Sequence, residues 1–127
     1  KMGRVKIEME FEVRSSPNIL FNHIGTASGL EEWFADKVNV KGKNSYSFFW
    51  DGKEEAAELV KKTPKTLVKF RWTEGPSDEY FQMEIIIDDL TSDVVLVITD
   101  FADEDEVEET EMLWESQVDT LKSYIGA

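Results

Sequence analysis

Six segments rich in β-branched and aromatic residues follow one another between residues 38 and 101, and no helical pattern interrupts them. They cover residues 38–40, 45–50, 55–61, 66–72, 80–88 and 94–101. Short turn signals separate them: Lys41-Gly42-Lys43-Asn44, Asp51-Gly52, Thr63-Pro64-Lys65, Gly75-Pro76-Ser77 and Leu90-Thr91-Ser92-Asp93. A parallel pair needs a crossover of roughly a dozen residues or more, and these connections are too short for one. The sheet is therefore expected to be antiparallel and meandering. Asp51-Gly52 is the strongest hairpin signal, because both residues tolerate the backbone that a two-residue turn demands. One more strand precedes this run. Along residues 4–14, Val5, Ile7, Met9, Phe11 and Val13 alternate with Lys6, Glu8, Glu10, Glu12 and Arg14, the pattern of a half-buried strand.

Helical signals flank the strands. Ser16-Pro17 places an N-cap serine before a proline at the first helical position. Ile19, Leu20, Phe21 and Ile24 supply an apolar face, and Gly25 stops the helix. Ser28 to Glu31 has the S-x-x-E form of a capping box and opens a second short helix through Leu30, Trp33 and Phe34. The final segment is a long helix. Asp103 is its expected cap, with Glu106 three residues on, and an acidic block fills the first turns, where the helix dipole favours negative charge. Val107, Trp114, Val118, Leu121 and Ile125 form one apolar stripe, flanked by Leu113, Gln117 and Tyr124. Such a helix spans on the order of 30 Å, enough to cross a small sheet. The fold class expected is α+β: six to seven antiparallel strands, two short helices after the first, and one long C-terminal helix.

The 127 residues fit one domain, 1–127, able to bury roughly two-thirds of its unfolded surface without a staple. The absence of cysteine excludes disulfides, thiolate metal sites and cysteine nucleophiles. The formal charge of −13 repels phosphate backbones and anionic lipid heads, so nucleic acid is not an expected partner. Val94-Val95-Leu96-Val97-Ile98 is far too short to cross a bilayer, and no signal segment opens the chain, so a cytoplasmic address is expected.

The order of elements resembles the START-like (SRPBCC) superfamily, a helix-grip fold in which a curved sheet wraps one long helix. Within it, the chain resembles the branch named for activators of the heat-shock-protein-90 ATPase. Ser16-Pro17 and the apolar helix after it resemble that branch's opening "SP" helix. Gly29-Leu30-Glu31-Glu32-Trp33-Phe34 resembles its second helix, Leu67-Val68-Lys69-Phe70-Arg71-Trp72 its "L.F.W" strand, and the run from Trp114 to Tyr124 its terminal helix. The chain departs from the branch at Leu113, where glycine is frequent, and in the carboxylate block before the helix. The resemblance implies a cavity between sheet and helix, used across the superfamily for lipids, sterols, hormones or polyketides and in some members for catalysis. Its expected lining is Trp33, Phe48, Trp50, Phe70, Trp72, Trp114, Gln117, Val118 and Leu121. A receptor role needs a void of about 300 Å³ or more.

Little else points to chemistry. His23 is the only histidine, late in a short helix, and no nucleophile or orienting group can be named beside it. Asp103-x-Asp105 begins like a calcium loop but lacks the glycine and the later ligands. Neither a phosphate loop nor a zinc pattern is present, so no cofactor or metal is expected. Gln82 and Gln117 are polar residues able to bond a ligand, with exposed amides as the plainer reading. The expected function is a binding module for a small hydrophobic molecule or lipid rather than an enzyme, with an enzyme of cyclase or hydrolase type ranked last because only His23 and unplaced carboxylates could serve it. The alternative is a co-chaperone-like adaptor docking a basic protein at the acidic helix start, as a monomer or a homodimer through an edge strand.

Overall fold

The computed structural model describes residues 3–127. Seven strands form one antiparallel sheet: β1 (Arg4–Glu12), β2 (Lys37–Lys41), β3 (Ser45–Trp50), β4 (Lys53–Thr63), β5 (Leu67–Trp72), β6 (Phe81–Ile87) and β7 (Val94–Asp103), in the order β1-β7-β6-β5-β4-β3-β2. Strands β2 to β7 are a continuous meander, and β1 joins at the far edge beside β7. At the β3–β4 turn, Asp51 and Gly52 both have positive φ, 51° and 79°. That is the backbone a primed two-residue hairpin requires, and it suits the twist of the strands it joins. Strand β4 carries one irregularity, between Leu59 and Lys61.

Two helices, α1 (Pro17–Ile24) and α2 (Ala27–Leu30), separate β1 from β2, and α3 (Val107–Ile125) closes the chain. The Ser16 side chain caps α1 by accepting from the Ile19 N–H at 3.2 Å. The far end of α1 is satisfied by Lys62, whose Nζ donates to the Gly25 carbonyl at 2.7 Å. Helix α2 differs from the expectation. Its cap is Thr26, whose hydroxyl accepts from Gly29 N at 2.9 Å, rather than Ser28. Gly29 explains the shift: a Cβ there would lie 2.0 Å from the Asn22 carbonyl oxygen, so the chain must enter α2 pressed against α1. Trp33 and Phe34 consequently fall in the turn after α2, not in the helix.

The start of α3 also differs. Asp103 ends β7 opposite Arg4, and a 3₁₀ turn, Glu104–Glu106, intervenes before α3. Neither Asp103 nor Glu106 makes a capping bond. The Asp103 carboxylate instead accepts from Arg4 Nη1 at 3.2 Å. Repulsion from Asp103 in the first place, and also from Asp105 and Glu109, holds the Glu106 carboxyl above its ordinary range. Carboxylates that stabilise a helix start one at a time here crowd one another.

The inner face of the sheet carries the core. Ile7 and Met9, Leu96 and Ile98, Phe81 and Met83, Val68 and Phe70, Ala57, Tyr46 and Phe48 all lie on it and are buried. Trp114, Val118 and Leu121 of α3, with Leu20 and Ile24 of α1, complete the same cluster. This is the apolar stripe read from the sequence.

Candidate functional site

Phe34 sits where the two short helices, the sheet and α3 meet. Its ring stacks on Phe81 of β6 at a centroid distance of 5.3 Å and on Trp114 of α3 at 5.5 Å. Trp50 of β3 meets it edge-on at 5.3 Å. The Phe34 carbonyl accepts two hydrogen bonds, from Trp50 Nε1 at 2.8 Å and from Gln117 Nε2 at 3.0 Å. One turn residue thus ties β3 to α3 through its backbone and fills the grip with its side chain.

The remaining space lies at the mouth of the grip. A recess of about 270 Å³ is bordered by Phe34, Trp50, Glu55, Asp100, Leu113, Trp114 and Gln117. A shallower one of about 460 Å³ shares Phe34, Trp50 and Gln117 with it and adds Glu31, Glu32, Trp33, Ala35, Asp36 and Thr120. Neither is lined by a lysine or arginine. The first recess falls short of the volume a receptor role was expected to need, since ligand-binding cavities run from about 300 Å³ upward, and it reaches that range only together with the adjoining one.

Asp100 is the unusual member of this lining. It belongs to the inner row of β7, Leu96, Ile98, Asp100 and Ala102, opposite Ile7 of β1. Its Oδ2 accepts from Trp114 Nε1 at 2.9 Å and its Oδ1 from the Phe101 N–H at 2.8 Å. Burial pushes its carboxyl above the ordinary range, against the opposing pull of those bonds and of the Arg4 charge. Glu55, opposite Phe48 in the β3–β4 register, is the second carboxylate on this face and is exposed at the rim.

The nine lining residues named from the resemblance occupy different places. Trp50, Trp114 and Gln117 border the recess, and Trp33 borders the adjoining one, with its Nε1 donating to the His23 carbonyl at 2.8 Å. Phe48, Phe70, Val118 and Leu121 are packed inside the core, each at most 1% exposed. Trp72 borders a neighbouring depression with Arg4, Pro76 and Glu79, which shares Glu55 with the recess. Gln82 faces outward between Lys69 and Thr99. His23 is held between the Ile19 carbonyl, 2.9 Å from Nδ1, and Glu32, 3.0 Å from Nε2. A wider depression of about 590 Å³ lies away from α3, among Asn39, Ser47, Glu58 and Arg71, and is crossed by the 2.7 Å Arg71–Glu58 pair. Among the described residues, no three His, Asp or Glu side chains are placed to hold a metal ion.

Sequence reasoning missed Phe34, Glu55 and Asp100. The signal for Asp100 was available: it breaks the apolar alternation of Leu96 and Ile98 at an inward position. For Phe34, adjacency to Trp33 hid which of the two rings entered the grip.

A family model described as a START-like superfamily domain matches residues 2–127. The chain belongs to the START-like superfamily. Among solved structures, this START-like protein is similar to BfR322 from Bacteroides fragilis, with 37% identity over 98% of this chain and 93% of that one and a TM-score of 0.67. It shares its fold with the Aha1 dimer from Colwellia psychrerythraea, at 16% identity, 93% coverage of both chains and a TM-score of 0.75. The same holds for MLL2253 from Mesorhizobium loti, at 13% identity over 96% of this chain and 97% of that one, with a TM-score of 0.78. No curated protein matches this START-like chain. No described helix is long and apolar enough to cross a membrane.

Proposed function

We propose that this START-like protein is a non-enzymatic binding module for a small, largely apolar molecule seated at the mouth of the helix grip. The observation that carries this reading is convergence. Phe34 from the turn after α2, Trp50 from β3, Asp100 from β7, and Trp114 and Gln117 from α3 border one open recess of about 270 Å³. Three aromatic rings supply apolar area, and a few polar groups supply orientation, which is the usual composition of a small-molecule site. Membership of a superfamily that commonly binds hydrophobic ligands supports it. The size of the recess favours a compact guest over a lipid.

The test is an NMR screen of the full chain against small, uncharged and charged apolar fragments. Binding at this site shifts the indole N–H signals of Trp50 and Trp114 and leaves that of Trp72 in place. A screen in which no fragment moves those two signals at millimolar concentration overturns the reading.

A second reading is an adaptor that docks a basic protein on the α3 start, and one observation favours it. Glu104, Asp105, Glu108 and Glu109 are all exposed there and act as one negative surface. Capture of a partner in low salt, lost as salt rises, supports it. A partner retained unchanged at high salt counts against it. The related fold described as a dimer makes the oligomeric state worth measuring in the same preparation.

A further inference from the structure

We infer that the guest of the mouth recess is a small organic cation of the substituted-ammonium class, held against the Trp50 ring between Asp100 and Glu55. The inference rests on the binding reading above and names the chemistry that the recess selects. Its lining contains Phe34, Trp50 and Trp114 and two carboxylates, with no lysine or arginine. Phe34 and Trp114 stack on each other and are buried, so the half-buried Trp50 offers the accessible ring. Arg4 stands in the neighbouring depression that shares Glu55. The face of an aromatic ring carries negative potential and attracts a cation, most strongly when water is displaced. The adjoining recess adds Glu31, Glu32 and Asp36, again without a lysine or arginine, so the approach has the same sign as the site. The net charge of −13 extends that field over the whole surface.

Asp100 carries the argument further. A carboxylate on an inward row of apolar residues is costly, and Ile7, its neighbour across the β1–β7 ladder, offers it no hydrogen bond. Arg4, whose charge reaches Asp100, is already committed. Its Nη2 and Nε donate to Glu79 at 2.6 and 3.0 Å, and its Nη1 to Asp103 at 3.2 Å. The Trp114 indole and the Phe101 N–H each donate to one carboxylate oxygen, and no cationic side chain bonds either of them. A monovalent cation with a methylated or alkylated surface answers both features at once: it pairs with Asp100 and lays its apolar shell on Trp50. A hard metal ion does not, since it needs a cage of six or more oxygens, and rings make up much of this lining. A fatty acid or other anion would meet five carboxylates on the way in.

The experiment compares choline with its uncharged carbon isostere, 3,3-dimethylbutan-1-ol, by isothermal titration calorimetry on the full chain. The same titrations are run on Asp100→Asn, on Glu55→Gln at the exposed rim, and on a helix-start variant carrying Glu108→Gln and Glu109→Gln. Choline is expected to bind at least tenfold more tightly than the isostere. Asp100→Asn should remove most of that margin and Glu55→Gln several-fold of it, while the helix-start variant retains it. Equal binding of the isostere overturns the cation inference and leaves the apolar-ligand reading standing. Choline binding that survives both Asp100→Asn and Glu55→Gln but falls in the helix-start variant overturns it as well, as attraction to the acidic surface. Absence of binding by either compound at millimolar concentration removes the inference, and the fragment screen then decides the broader reading separately.

Discussion

Truncating Phe34 to alanine removes a ring that stacks on both Phe81 and Trp114, while leaving the backbone carbonyl that Trp50 and Gln117 hold. Deleting a buried phenylalanine in this way costs about 3–5 kcal/mol, because lost transfer energy adds to the energy of the cavity left behind. Urea denaturation of Phe34→Ala should show a loss in that range; a loss below about 1 kcal/mol would mean that the ring does not plug the grip. Asp100 makes a prediction of opposite character. Burial raises its carboxyl in the folded state, so the native chain holds that proton to higher pH than the unfolded chain does. The stabilisation from this group is complete below the ordinary carboxylate range and is lost as pH rises through the raised value. Asp100→Asn keeps an acceptor for Trp114 Nε1 and has no such loss. The stability of the variant relative to the natural chain should therefore rise with pH across that window and level off above it, in urea midpoints measured at a series of pH values. A difference independent of pH would show that Asp100 titrates normally. At this scale the sequence was legible as composition but not as address. Trp50 and Trp114 announced an aromatic grip, yet only three-dimensional packing distinguishes Phe34 inside it from Trp33 at its side.

At the scale of elements, strands were legible because pleat alternation and turn chemistry are local. β3 runs over the residues expected for it, and Asp51-Gly52 turns as its residue types dictate. Helix starts were less legible where two caps competed. Ser28 and Thr26 both precede short apolar runs, and the choice between them is made by the contact of Gly29 with the backbone of Asn22 and His23. Gly29→Ala tests that contact. The added methyl would meet backbone that cannot yield as a side chain can, so α1 and α2 must part, at a cost on the order of 1–3 kcal/mol. A Tm unchanged in Gly29→Ala would show that the two helices are not tightly apposed. The expected Asp103 cap failed for another non-local reason: β1 arrives beside β7 and takes that carboxylate for Arg4.

At the scale of the whole molecule, charge dominates. With a net charge of −13, and with Glu106 crowded by its acidic neighbours, added salt should stabilise the fold. Screening acts beyond about 10 Å at 0.1 M ionic strength, so repulsion across the surface weakens first, whereas close pairs such as Arg4–Glu79 weaken less. Thermal unfolding in roughly 10 mM and 0.5 M sodium chloride should therefore show a Tm higher by a few degrees in the second. A lower Tm in high salt would mean that the surface pairs outweigh the repulsion. The antiparallel order of the meander and the position of α3 were legible from spacing and pattern; the closing of the grip by a turn residue was not, because it depends on contacts between residues far apart in the chain, such as Phe34 and Gln117. The placement of the four indoles has one more consequence. Trp50 and Trp114 border the recess with both their N–H groups committed, whereas Trp72 stands in the neighbouring depression beyond Glu55. A guest entering the recess meets two chromophores whose emission answers to the local field, so the protein's own ultraviolet fluorescence reads occupancy without any label.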